Sequence, residues 1–143
     1  MSALLQVNQL DKHFGGLHVL KNFNMELHKG EIVGILGPNG AGKTTLFNLL
    51  TGFIPADSGE VLLRGQPIRQ LKANTIVGLG MARTFQLCRP FVGLTVLENV
   101  LVGSLGPRVQ TQDLGERAMH LLAQVGLADK AQQASELLSY GDL

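Results

Sequence analysis

The apolar positions of this chain change their spacing along its length, and each spacing predicts a different element. From Val19 to Leu27 apolar residues alternate with polar ones, which is the period of a half-buried strand. Glu31 to Leu36 is a short, mostly apolar run, which predicts a strand buried on both faces. From Asp113 to Val125 the apolar residues recur at helical spacing, which predicts an amphipathic helix that Gly126 ends.

Turn residues divide the rest of the chain into short elements. Mixed apolar and polar runs predict strands at Leu4 to Leu10 and at Glu60 to Arg64. A third short strand is predicted at Met81 to Gln86. Thr95 is a predicted N-cap for a helix from Val96 to Val102.

These elements together favour an α/β fold with an antiparallel strand layer and, from about residue 95 to 138, a helical segment. A weak helix is predicted at Leu71 to Val77. Gly103 to Gln112, which contains Gly106-Pro107, is predicted to be a flexible connection.

Composition excludes several classes of protein. Hydrophobic residues make up 45% and charged residues 16% of the chain, which is typical of a globular protein. The net charge of +1 gives no reason to expect a nucleic-acid partner. Cys88 is the single cysteine, which favours a reducing compartment, and no apolar run is long enough to predict a membrane span.

One stretch fits the phosphate-binding pattern G-x-x-x-x-G-K-[ST] at every fixed position: Gly37-Pro38-Asn39-Gly40-Ala41-Gly42-Lys43-Thr44. It lies between the strand predicted at Glu31 to Leu36 and a helix predicted at Thr45 to Leu50. That arrangement directs backbone N–H groups and the helix dipole at one anion. The alternative is a chance match in a chain with 18 glycines, for which composition alone gives odds of roughly 1 in 100.

The residue types of this stretch suit the phosphates of a nucleotide. Gly37, Gly40 and Gly42 let the backbone approach a phosphate without a Cβ in the way. Lys43 would place its charge on the β- and γ-phosphates, and Thr44 would offer its hydroxyl to Mg²⁺. The sequence therefore predicts a site for ATP with Mg²⁺.

Several motifs in one order resemble the ATP-binding subunit of an ABC transporter, and more narrowly the branched-chain amino-acid import (LivG) type. The resemblance covers the whole chain. The motifs that carry it are Phe14, Gly37 to Thr45, Arg83-Thr84-Phe85-Gln86 with Arg89 and Phe91, Leu94-Thr95-Val96-Leu97-Glu98-Asn99, and Leu138-Ser139-Tyr140-Gly141.

The resemblance implies a role for each motif. Phe14 would stack on adenine, Gly37 to Thr45 would be the Walker A loop, and Gln86 would be the catalytic glutamine that reaches Mg²⁺ and the attacking water. Ser139 and Gly141 would contact the γ-phosphate bound by a second subunit. Taken alone, these residues also fit plainer interpretations: packing at a turn, a polar loop residue and a common loop tripeptide.

The function that the resemblance implies is ATP binding and hydrolysis that drives branched-chain amino-acid uptake through a membrane permease. The implied partners are the permease subunits and a second ATP-binding subunit, with the periplasmic binding protein only an indirect partner. The implied location is cytoplasmic, peripheral on the inner face of the plasma membrane. The alternatives are a related urea or amide importer, which shares the pattern Arg83 to Gln86, and a nucleotide-binding module without hydrolysis.

The chain departs from the family after Gly141. Family members continue with the Walker B carboxylates and a switch histidine, so residues 1–143 resemble the N-terminal part of an ATP-binding domain. We expect these residues alone not to hydrolyse ATP, because phosphoryl transfer needs the carboxylate pair. We also expect poor folding, since in the family the neighbours of the strand at Ile32 to Leu36 lie later in the chain. Gly103 to Asp113 is short for this subgroup.

Overall fold

The structure, a computed structural model, describes residues 3–104, 113–139 and 141–142. The chain forms two compact units, Met1–Arg83 and Thr84–Leu143. Strands lie in the first unit and helices occur in both, so the predicted α/β class is confirmed.

The first unit contains an antiparallel sheet of four strands in the order β2-β1-β3-β4. Its strands are β1 (Leu5–Phe14), β2 (Leu17–Leu27), β3 (Ser58–Leu63) and β4 (Gln66–Pro67). The strand β1 is central and pairs on both edges, with Leu5 opposite Leu27 on one side and Leu63 on the other.

The strand β1 continues four residues beyond the predicted end at Leu10. Its register shifts between Asn8 and Asp11, where Gln9 has a φ of 48°. At this bulge the neighbouring strand comes so close that a Cβ on Gly59 would lie 2.3 Å from the Gln9 carbonyl oxygen. The shift breaks the alternation of apolar and polar residues, so the polar end of β1 gave no strand signal.

The core of this unit joins the sheet to two helices, α1 (Lys43–Leu50) and α2 (Ala73–Gly78). The prediction of α1 is confirmed, although the helix begins at Lys43 and not at Thr45. The side chains that are almost fully buried come from both layers: Val7, Leu10, Leu46, Val61, Ile68 and Ile76.

The strand predicted at Glu31 to Leu36 is wrong. The segment has no regular secondary structure, and the side chains of Ile32 and Leu36 are 100% and 96% exposed. A strand buried on both faces needs hydrogen-bonded neighbours at its edges. Among residues 3–104, 113–139 and 141–142, no strand pairs with this segment, so Ile32 and Leu36 face solvent and only Ile35 packs against the core.

The strand predicted at Met81 to Gln86 is also wrong, because this segment is irregular. A side chain holds it instead of a ladder of backbone hydrogen bonds. The Nη1 atom of Arg83 donates to Oδ1 of Asn48 at 2.7 Å and to Oγ1 of Thr51 at 3.2 Å. The guanidinium also lies 4.9 Å from the ring centroid of Phe53, in a cation–π contact.

Among its described residues, the second unit contains two helices, α3 (Val96–Gly103) and α4 (Leu114–Gln124), and both predicted helices are confirmed. Two 3₁₀ turns follow, at Ala128–Lys130 and Ser135–Leu137. Residues 105–112, most of the connection predicted to be flexible and short, lie outside the described residues. No helix in the described part of the chain is long and apolar enough to cross a bilayer.

Thr95 caps α3 as predicted. Its Oγ1 accepts a hydrogen bond from the Glu98 N–H at 3.1 Å, and the Thr95 N–H donates to Oε2 of Glu98 at 2.7 Å. This capping box satisfies two backbone donors at once, and hydrogen bonds from Thr95 lower the pKa of Glu98. An N-cap of this kind contributes about 1 kcal/mol to helix stability.

The exposed segment Glu31 to Leu36 predicts self-association of the chain, because contiguous apolar surface is removed from water when two copies meet. Sedimentation velocity on Ile32→Lys should show several-fold less association than the parent chain. Val77→Lys is the matched control, since Val77 is an exposed aliphatic residue on α2. A monomeric parent chain, or an equal loss in both variants, would contradict this prediction.

Candidate functional site

The helix α1 presents its N-terminus at the end of the glycine-rich loop. Its first turn carries no acidic side chain, so the partial positive charge of the helix dipole is not offset there. The side chains of Leu46, Leu49 and Leu50 are buried and hold the helix in the core. The helix end is thus fixed with its free N–H groups towards the loop.

Gly42 is the residue at which the loop becomes the helix. Its φ is 84°, a backbone conformation that residues with a Cβ rarely adopt. A Cβ here would also lie 3.1 Å from Cγ1 of Val19 and 3.3 Å from Cδ2 of Leu20, which are side chains of β2. The left-handed backbone therefore favours glycine at this position, and the close approach of β2 adds to that preference.

The loop itself closes tightly between Gly37 and Ala41. The Ala41 N–H donates to the Pro38 carbonyl at 3.2 Å, and a Cβ on Gly37 would lie 3.1 Å from the Ala41 Cβ. Asn39 and Gly40 at the turn are exposed, and Gly40 also has a φ of 84°. This conformation leaves the turn of the loop open to solvent just before the helix.

Lys43 places its charge at the start of this loop. Its Nζ donates to the carbonyl oxygens of Gly37 at 2.6 Å and Pro38 at 2.7 Å. Thr44 is exposed and Thr45 half-buried in the same first turn of α1. Backbone donors, a cation and two hydroxyls on one turn are the groups that suit a phosphate with a bound Mg²⁺, so the residues present fit ATP with Mg²⁺.

Phe14 ends β1 on the hairpin that backs this loop. It pairs with Leu17 across the turn, and its side chain is 49% exposed. The Nζ atom of Lys12 lies 5.4 Å from the centroid of its ring. The structure therefore places Phe14 in the same unit as the loop, on the strand pair whose residues Val19 and Leu20 contact Gly42.

A polar network beside Phe14 was not predicted from the sequence. Lys12 donates to Oδ1 of Asp57 at 2.8 Å, and the His13 N–H donates to Oδ2 of Asp57 at 2.6 Å. The hydrogen bond from Lys12 is the main cause that lowers the pKa of Asp57 to about 2. The rings of His13 and His18 stack at 3.8 Å. The hairpin register, which pairs His13 with His18, could have indicated the stacked rings but not the contacts of Asp57.

Gln86 lies in the second unit, exposed in an irregular segment, and is therefore not in the compact unit of the loop. Exposed apolar side chains follow it at Leu87 and Phe91. The Phe91 backbone is fixed from two sides: its N–H donates to Oδ1 of Asn99 at 2.7 Å, and its carbonyl accepts from Oγ of Ser135 at 3.1 Å.

Ser139 and Gly141 lie in the same unit as Gln86 and are exposed. Ser139 donates twice to Oδ2 of Asp142, from its N–H at 3.0 Å and from its hydroxyl at 2.7 Å. Lys130 donates to the other carboxylate oxygen at 2.7 Å. The hydrogen bond from Lys130, followed by those from Ser139, lowers the pKa of Asp142 to about 2.

Comparison with curated proteins gives relatives over nearly the whole chain. The chain is 43% identical to the high-affinity branched-chain amino acid transport ATP-binding protein LivG of Escherichia coli (strain K12), over 97% of this chain and 60% of that protein. It is 35% identical to BraF of Pseudomonas aeruginosa, over 96% of this chain and 60% of that protein. It is 34% identical to the lipoprotein-releasing system ATP-binding protein LolD of Bacteroides thetaiotaomicron, over 97% and 65%.

Solved structures agree with these relatives. The ADP conformation of MJ1267, an ATP-binding cassette of an ABC transporter, matches with a TM-score of 0.85 and 30% identity, over 99% of this chain and 61% of that one. The chain thus spans about 60% of the length of LivG and BraF. The family model for ABC transporters matches residues 20–143. Because this match covers most of the sequence and includes the phosphate-binding loop, the chain belongs to the ABC transporter family.

Proposed function

We propose that this chain forms part of the ATP-binding subunit of an importer for branched-chain amino acids. The observation that carries the proposal is the loop from Gly37 to Thr44, closed by left-handed glycines at the N-terminus of a buried helix. The 43% identity to LivG supports the transport class. Residues 1–143 would be the N-terminal part of the ATP-binding domain, with about 95–138 as its helical subdomain.

In this proposal the backbone N–H groups of the loop bind the phosphates, and Lys43 neutralises charge on the β- and γ-phosphates. Thr44 and Gln86 would hold Mg²⁺, which would offset the negative charge of the phosphates. Gln86 would also orient the attacking water, and Phe14 would stack on adenine. The half-exposed ring of Phe14 on the hairpin behind the loop supports its role.

The proposed partners are the permease subunits and a second ATP-binding subunit. Ser139 and Gly141 would contact the γ-phosphate held by that second subunit. The exposed apolar residues Leu87 and Phe91 would dock a cytoplasmic loop of the permease, which places the chain on the inner face of the plasma membrane. The periplasmic binding protein would be an indirect partner, reached through the permease.

The transported substrate is proposed to be a branched-chain amino acid. LolD, named for lipoprotein release, is 34% identical, so similarity in this range also includes subunits of other transport systems. An importer for urea or amides is the alternative within the same class. Uptake of labelled leucine against labelled urea, in cells that express a complete ATP-binding subunit carrying this sequence together with its permease, separates the two.

Lys43→Ala should weaken ATP binding by about 2 kcal/mol or more, roughly 30-fold, because charge-assisted contacts to phosphate are strong. Titration calorimetry with ATP and Mg²⁺ measures the change. Lys21→Ala, which removes an exposed lysine of β2, is the control and should bind as the parent chain does. Equal affinity for ATP in Lys43→Ala and in the parent chain would contradict the assignment of this loop as the ATP-binding site.

We expect ATP binding by these 143 residues without turnover. The proposed site supplies a cation and neutral oxygen donors, whereas hydrolysis also needs carboxylates that hold Mg²⁺ and polarise water. A phosphate-release assay should give the same background rate for the parent and for Lys43→Ala. Magnesium-dependent release that Lys43→Ala abolishes would contradict this expectation and remove the non-hydrolysing alternative.

Docking of the permease predicts specific crosslinks. Single cysteines placed by Leu87→Cys or Phe91→Cys should crosslink to the permease in membranes, in a Cys88→Ser background because Cys88 is itself exposed. Leu121→Cys is the matched control, since Leu121 is a similarly exposed apolar residue on α4. Crosslinks that form only between copies of this chain, or equally well from position 121, would refute the docking surface.

A further inference from the structure

The carboxylate of Asp142, near the end of the described residues, accepts three hydrogen bonds. Oδ2 of Asp142 accepts the Ser139 hydroxyl at 2.7 Å and the Ser139 N–H at 3.0 Å. Oδ1 accepts Nζ of Lys130 at 2.7 Å. The side chain of Asp142 is 20% exposed, so all three donors meet a partly desolvated carboxylate.

This donor set is chemically suited to a phosphate oxygen. A hydroxyl and a backbone N–H that converge on one anionic oxygen, with an ammonium beside them, are the groups that proteins direct at phosphates. A serine hydroxyl has one proton to donate. While the Ser139 hydroxyl donates this proton in a hydrogen bond to the Asp142 carboxylate, it cannot donate it to another anion.

We propose that Asp142 is a positioning residue that occupies the donors of Ser139 and sets how readily this loop accepts a phosphate. The proposal rests on the proposed function, in which Ser139 meets the γ-phosphate bound by a second copy or a second subunit. Asp142 then competes with that phosphate for the hydroxyl and the N–H of Ser139. Lys130 offsets the charge of the competing carboxylate.

The charges of Asp142 and Lys130 predict the direction in which each substitution changes phosphate-dependent association. Neutralising Asp142 removes the competing anion and leaves the Lys130 ammonium to attract the phosphate. Neutralising Lys130 leaves the carboxylate uncompensated beside Ser139, where it repels the phosphate. The two variants should therefore change phosphate-dependent association in opposite directions. If the ion pair only held the loop together, both variants would loosen it and both would weaken association.

Protonation does not remove the competing anion in the physiological range. The hydrogen bond from Lys130 and the two from Ser139 lower the pKa of Asp142 to about 2. The carboxylate is therefore ionised at neutral pH, and substitution is the means of neutralising it.

The experiment measures self-association of the full 143-residue chain by sedimentation equilibrium, with and without ATP and Mg²⁺. Taking the difference between the two conditions removes association that does not depend on nucleotide. Asp142→Asn should strengthen the ATP-dependent component about threefold, and Lys130→Gln should weaken it by a similar factor. Asp129→Asn is the matched control, because it changes the net charge equally at an exposed neighbouring carboxylate and should have no effect.

Three results would overturn the proposal. They are loss of association in both variants, an equal gain in Asp129→Asn, and no ATP-dependent association in either the parent or Asp142→Asn. Calorimetry of ATP binding to the parent and Lys43→Ala is run beside these measurements. If the loop does not bind ATP, the proposed function fails; if it binds ATP and the charge variants behave otherwise than expected, only the role of Asp142 fails.

Discussion

The contact between Gly42 and β2 is the constraint on which the rest of the phosphate-binding loop depends. A Cβ on Gly42 would lie 3.1 Å from Val19 Cγ1 and 3.3 Å from Leu20 Cδ2, closer than ordinary van der Waals contact, and the backbone is left-handed as well. This close approach joins the loop, the start of α1 and the hairpin that carries Phe14. A substitution at Gly42 would therefore disturb the direction of the helix N-terminus together with the local turn.

Lysine–carboxylate pairs fix the backbone in both units by the same device. Asp57 accepts from Lys12 and from the His13 N–H, and Asp142 accepts from Lys130 and from the Ser139 N–H. Exposed ion pairs contribute little to stability by themselves, because solvent screens them. Their effect here is geometric: each carboxylate holds a backbone N–H of a distant or neighbouring segment, and each lysine keeps that carboxylate ionised and in place.

Local signals predicted the helices well and the buried strand badly, for one physical reason. A helix satisfies its hydrogen bonds within itself, so the capping box at Thr95 and the apolar spacing of α4 were sufficient. A strand exists only if another strand pairs with it. Glu31 to Leu36 has the apolar composition of a buried strand, but among the described residues nothing pairs with it. The position of Arg83, held by Asn48 and Thr51, also had no local signal, because these partners are distant in sequence.

The residues of the candidate site differ in the same way: some depend on local backbone conformation, and others depend on residues far along the chain. The conformation of the glycine-rich loop could be predicted because the directions of its backbone N–H groups follow from the dihedral angles of contiguous residues. Gln86 and Ser139 would act through side chains or through a second subunit, and their surroundings depend on residues far along the chain. At Ser139 those surroundings include a carboxylate three residues later and a lysine nine residues earlier, which the tripeptide alone does not indicate. A motif therefore predicts local geometry where backbone N–H groups are the candidate ligands, whereas a candidate side-chain ligand also requires knowledge of the charges around it.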